Sequence, residues 1–191
     1  MRAIAIVGLL VAGAGCAPPG AADDAKSDVP KTGPRIAGAR DFAAFRSWRR
    51  YHLPEDTLTE VGHHSSPHRY VYVDRALPPE PAPIPLGTLI VKTTEDGPPE
   101  TWDVHAMVKR GDGYNWSGCD DWEFFNLSLD ADGAVSIRWR GRGDDASAYE
   151  DAEGHARSCN SCHIHAREVD HVFSRRLVPA LGRGAHPPGG A

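Results

Sequence analysis

No segment of this 191-residue chain outside its first residues carries the run of about 20 apolar residues that a membrane-spanning helix needs. No long basic run is present, and the net charge is -5, which argues against nucleic acid as a partner. Methionine is almost missing: beyond Met1 there is only Met107, which sits mid-strand in an apolar pattern and reads as core. Cysteine is sparse, with four residues, Cys16, Cys119, Cys159 and Cys162. That spacing argues against a four-thiolate zinc site, which draws on two ligand pairs. There is no internal repeat and no low-complexity array. What the chain has in quantity is 20 glycines and 16 prolines, which point to many turns and little helix. About a quarter of its residues are charged, which suits one globular domain with tails.

The amino terminus reads as an export signal. Arg2 precedes an apolar run from Ala3 to Ala12, too short to span a bilayer but suited to a signal-peptide core. The stretch Ala12-Gly13-Ala14-Gly15-Cys16 resembles a bacterial lipoprotein signal, in which Cys16 becomes the lipidated first residue. An ordinary secretory signal cut nearby is the alternative. Residues 1–15 are therefore expected to be a signal peptide and residues 16–39, rich in Pro, Gly, Ala and Asp, a flexible tether. The expected location is periplasmic, with membrane contact only through a lipid anchor.

The body, residues 40–179, reads as mainly β within an α+β class. Asp41 to His52 is expected to be a helix, capped by Asp41, because Phe42, Phe45 and Trp48 recur at helical spacing. Five strands follow: His68 to Asp74, Gly87 to Thr94, Trp102 to Lys109, Trp122 to Leu129 and Val135 to Trp139. A proline-rich connector separates the first two, and Asp132-Gly133 marks a hairpin. Short turns between most strands predict an antiparallel five-stranded sheet with a few short helices. His63, His64 and His68 form a polar loop that could supply a metal or haem ligand. An acidic stretch from Gly141 to His155 leads toward the C-terminus, and residues 180–191 read as a disordered tail.

Cys159-Asn160-Ser161-Cys162-His163 is a C-x-x-C-H motif, the attachment signature of a c-type haem. The two thiols add across the haem vinyl groups, and His163 then lies under the iron as its axial ligand. A zinc site from Cys159, Cys162, His163 and His165 and a disulfide between the two thiols are the alternatives. A short helix is expected after His163. With one face of the iron open, the chemistry would be that of small ligands; a sixth ligand such as His64 or His68 would favour electron transfer.

Taken in order, Tyr70-Val71-Tyr72-Val73-Asp74, Gly87-Thr88-Leu89-Ile90-Val91-Lys92, Met107-Val108-Lys109-Arg110, Asp121-Trp122-Glu123-Phe124-Phe125, the haem motif and Asp170 to Ser174 resemble the cytochrome P-460 family. The resemblance covers about Phe42 to Pro179. It implies one covalent haem c per chain, a homodimer, an open iron position opposite His163, and a lysine bonded to the haem. Gly87, Thr88, Val91 and Lys92 match the G-T-x-x-V-K pattern that ends on that lysine, so Lys92 is the candidate cross-link. It also implies a distal carboxylate ahead of the motif that takes substrate protons. Glu153 is the nearest candidate, with Glu150 and Asp151 behind it, and Gly154 or His155 could occupy the same place. The expected activity is oxidation of hydroxylamine, with nitric oxide giving nitrous oxide and electrons leaving to an acceptor. The related cytochrome c′-beta binds nitric oxide without the cross-link, and that function is the alternative. A plain electron carrier is the third.

Overall fold

The computed structural model describes residues 34–53, 66–142, 149–150, 156–178 and 181. Six strands pair in chain order as an antiparallel meander: β1 (Arg49–His52), β2 (Arg69–Val73), β3 (Leu89–Thr94), β4 (Asp103–Lys109), β5 (Trp122–Leu129) and β6 (Val135–Gly141). A separate ribbon joins β7 (Tyr149–Glu150) and β8 (Ala156–Arg157). The helices are short: α1 (Ala39–Phe42), α2 (Cys159–His163), α3 (Phe173–Leu177) and 3-10 turns at Phe45–Ser47, Pro99–Thr101 and Ile164–Val169. Among the described residues no helix is long and apolar enough to cross a membrane.

The sheet has six strands where the sequence suggests five. The five expected strands are β2 to β6, with ends shifted by up to two residues. The sixth, β1, comes from the segment expected to be a helix through His52. Helix α1 stops at Phe42, and Trp48 is already extended, with ψ 175°. The aromatic spacing is satisfied instead by a helical turn followed by a 3-10 turn, which together bury Phe42 and Phe45 completely. Phe42 packs edge-on against Phe125, and Phe45 against Tyr72. Beyond them the chain alternates as an edge strand. Tyr51 packs on one face, and Arg50 lies on the other, 3.5 Å over the Tyr70 ring and ion-paired to Glu95 at 2.6 Å. A short edge strand with Arg49, Arg50 and His52 resists pairing with another sheet.

Strand alternation gives the sheet two apolar faces. On one, Phe42, Phe45, Val91, Val104, Val108 and Phe125 form a core under the N-terminal helical turns. On the other, Val73, Ile90, Met107, Trp122 and Phe124 pack against Val172 and Val178 of the C-terminal segment. Each fully buried large side chain contributes about 1.5–3 kcal/mol. The proline connector after β2 crosses this second face through Leu77 and Ile84. Buried Arg175 fastens it, donating to the carbonyls of Pro78 at 3.1 Å and Ala82 at 3.2 Å.

Both ends of the described chain are docked. Residues 34–39 close the segment read as a tether, yet Ala37 is buried, and its carbonyl accepts from Arg140 at 2.8 Å. Asp41 acts from inside α1, accepting the Gly38 N–H at 2.7 Å. Leu181, within the expected tail, is buried in the second core. The expected signal peptide, Cys16, His63, His64, the side chain of Glu150, and residues 151–155, which include Glu153 and His155, lie outside the described residues.

Candidate functional site

The C-x-x-C-H segment folds as α2 because Ser158 caps it: the Ser158 hydroxyl accepts the Ser161 N–H at 2.9 Å. Cys159 and Cys162 are free thiols, both half-buried. Cys159 packs against the second core, and burial pushes its thiol up to about 12, so it is neutral. Asn160 points inward and pairs with Asn115.

His163 is held from three sides. Phe124 of β5 lies 5.0 Å from its ring and Phe173 of α3 lies 5.5 Å away, centroid to centroid. Its Nδ1–H donates to the carbonyl of His171 at 2.7 Å. A carbonyl only accepts, so the proton sits on Nδ1 and Nε2 keeps its lone pair. Burial holds the imidazole well below its usual range, at about 4, so the ring is neutral near pH 7. A neutral ring whose outer nitrogen is anchored to a backbone carbonyl is how proteins present histidine to a metal.

The carbonyl of His171 reaches back because Asp170 and His171 are both left-handed, with φ 55° and 63°. Such a corner needs external support. Lys109 Nζ grips Asp170 Oδ1 at 2.6 Å, Asp170 Oδ2 accepts the Ile84 N–H at 2.7 Å, and the Trp122 indole N–H donates to the Asp170 carbonyl at 2.8 Å. His171 is itself buried and donates its Nδ1–H to the His163 carbonyl at 3.1 Å.

Lys92 follows Val91 on β3. Val91 faces the first core, so Lys92 shares the opposite face with Ile90, the face that α2 covers. Burial depresses its ammonium, opposed by Asp103 and reinforced by Arg69; the charge of Cys162 also reaches it, and the charge of Lys92 reaches His163. The fold thus sets Lys92 on the sheet face against which the His163 ring packs through Phe124. Lys92 and His163 are both half-buried. A desolvated lysine is readily deprotonated, and the neutral amine is a nucleophile.

These residues fit a tethered haem: two cysteine thiols, an imidazole with Nε2 presented, and a desolvated lysine on β3. Among the described residues, which include Cys159, Cys162, His163 and His165, no group of three or more His, Cys, Asp or Glu side chains is arranged to hold a metal ion. His68 is exposed at the start of β2, and Met107 is packed in the second core with Ile90 and Phe124. Cys119 is fully buried, with its thiol 3.8 Å from the Asn160 carbonyl. Sequence reasoning missed Asn115, Asn160 and the Asp170–His171 corner. It also missed His105, which opposes Lys92 across β3 and β4. The period-two pattern of β4 places His105 with Met107 and away from Val104, but pairing with Lys92 depends on register, which spacing alone does not reveal.

No family model, no curated protein and no solved structure matches the chain.

Proposed function

We propose that this protein is an exported c-type cytochrome carrying one haem c, and that it works as an oxidoreductase on hydroxylamine in the manner of the cytochrome P-460 family. The observation that carries the reading is that Lys92 lies on the sheet face where the His163 ring packs against Phe124 and Cys159 packs on the core. A lysine 67 residues or more from the motif has no local reason to lie there. Cys159 and Cys162 would hold the haem through thioether bonds, and His163 Nε2 would bind its iron. When bound, the haem supplies a ferric iron that takes a small nitrogen ligand and accepts electrons. His171 fixes the His163 ring through its carbonyl. The Lys92 amine, whose charged form burial disfavours, is the group that would bond to the haem edge. Phe124 and Phe173 flank the His163 ring. Electrons would leave to a separate acceptor, and the periplasm would be the place of action.

The test is the absorption spectrum of the purified haem-loaded protein, ferric and reduced, beside Lys92→Ala. A strongly red-shifted reduced Soret band that the substitution abolishes is the expected result. An ordinary c-type spectrum, unchanged by the substitution, would sink the enzyme reading and leave nitric oxide binding, as in cytochrome c′-beta, as the function.

A further inference from the structure

The carbonyl that holds His163 is delivered by two consecutive left-handed residues, and neither is glycine: Asp170 at φ 55° and His171 at φ 63°. Such backbone persists only where its surroundings over-determine it, and it gathers at functional sites. Its consequence here is specific. The corner turns the His171 carbonyl onto His163 Nδ1 at 2.7 Å.

Lys109 does most of the fixing. Its side chain is 7% exposed, against 14% for its partner Asp170. Nζ donates to Asp170 Oδ1 at 2.6 Å and to the Asp120 carbonyl at 2.8 Å, so it ties the loop before β5 to the corner. The rest of Asp170 is occupied too, by the Ile84 N–H on Oδ2 and the Trp122 indole N–H on its carbonyl. A buried ion pair seldom stabilises more than apolar side chains of the same volume would, so stability alone does not account for this one.

We propose that Lys109 and Asp170 are positioning residues for the iron ligand: by fixing the corner they fix the Nδ1–H···O=C bond of His163, and with it the donor strength of Nε2 and the reduction potential of the haem. The assignment rests on the haem reading of Cys159 to His163. A strong hydrogen bond from Nδ1–H makes the imidazole more basic at Nε2. A more basic ligand favours ferric over ferrous iron, so the intact corner holds the potential down. Loosening the corner raises it. Letting water reach the haem does the opposite, because water stabilises the ferric charge, so the sign of the shift separates positioning from mere loss of structure.

The test is the midpoint potential of haem-loaded protein by optical titration. The Lys109→Met, Asp170→Asn double variant removes the ion pair without changing net charge. It is expected to shift the reduction equilibrium about tenfold toward ferrous iron, the lower end of second-shell effects, which is about 59 mV upward for one electron. Trp122→Phe, which takes only the indole N–H from the Asp170 carbonyl, is expected to shift it the same way by less, and it decides the matter if the double variant does not fold. Phe42→Leu weakens the opposite core and is expected to leave the potential unchanged. An unchanged or lowered potential in the double variant, or in Trp122→Phe where that variant decides, overturns the assignment, as does an equal rise in Phe42→Leu. Wild-type protein isolated without covalent haem overturns the haem reading itself and this assignment with it.

Discussion

Asn115 and Asn160 hold each other through both ends of their side-chain amides. Asn115 Nδ2 donates to Asn160 Oδ1 at 2.7 Å, and Asn160 Nδ2 donates to Asn115 Oδ1 at 2.8 Å. Asn160 is the first variable position of C-x-x-C-H, and Asn115 is a left-handed loop residue between β4 and β5. The pair is buried, so this contact fixes where the motif helix sits on the sheet. Replacing Asn160 with Ala takes the donor from buried Asn115 Oδ1, while Asn115 Nδ2 keeps the Trp122 carbonyl at 3.0 Å. The expected cost is about 1–3 kcal/mol of stability. Urea unfolding and the haem-to-protein ratio of purified material measure it, and unchanged values for both would sink the latch.

Gly118 makes that latch possible. A Cβ at this position would lie 2.6 Å from Asn160 Cγ and 2.7 Å from Asn115 Oδ1. Neither amide can yield without giving up its hydrogen bonds. Gly118→Ala is therefore expected to destabilise by about 1–3 kcal/mol through overpacking. Added to Asn160→Ala, it should cost less than it does alone, because the clash is partly removed. A double-mutant cycle by denaturant unfolding reads this directly, and strict additivity contradicts it.

Lys109 and Asp170 support the corner behind His163. Both are largely buried, and their ion pair is 2.6 Å long. Lys109→Met leaves the Asp170 carboxylate without its cation, an expected loss of about 3–5 kcal/mol. Combining it with Asp170→Asn should recover part of that loss, since no uncompensated charge then remains. Urea midpoints of the three variants decide the matter; equal loss in the single and double variants would show that the charge is not the cause.

The protonation of His163 predicts an acid-side instability in protein without haem. A Cys159→Ala, Cys162→Ala double variant has no thiols for attachment. In it, burial holds folded His163 at about 4 against an ordinary 6.5. As pH falls below 6.5 the unfolded chain takes up this proton before the folded chain does. The contribution of neutral His163 is thus fully present above about pH 6.5 and lost progressively toward pH 4. Urea midpoints measured across this window should fall, and a further His163→Gln substitution should flatten the fall. Parallel curves for the two proteins would rule out His163 as the source.

The strands after residue 68 could be read from the sequence because each alternates and ends at Gly, Pro or Asp. Residues 41–52 could not be read correctly. Phe42, Phe45 and Trp48 have the spacing of a helix face, and the same spacing serves a helical turn followed by a 3-10 turn. What decided between them was the apolar face offered by Tyr72 and Phe125 and the free edge of β2 that β1 pairs with.

The sequence by itself determined the local chemistry: the C-x-x-C-H segment, the alternation that puts Lys92 on a different face from Val91, and the turns between strands. Each depends on neighbours within a few residues. Only the tertiary structure decided which groups meet. The meander's register sets His105 beside Lys92, and the corner at Asp170 and His171 returns a carbonyl to His163 Nδ1. The latch between Asn115 and Asn160 seats the motif on the sheet. These relationships join residues far apart in the chain, where a shift of one position in strand pairing would turn Lys92 and His105 to the other face. Residue type and spacing specify what each side chain can do; packing and register select its partners.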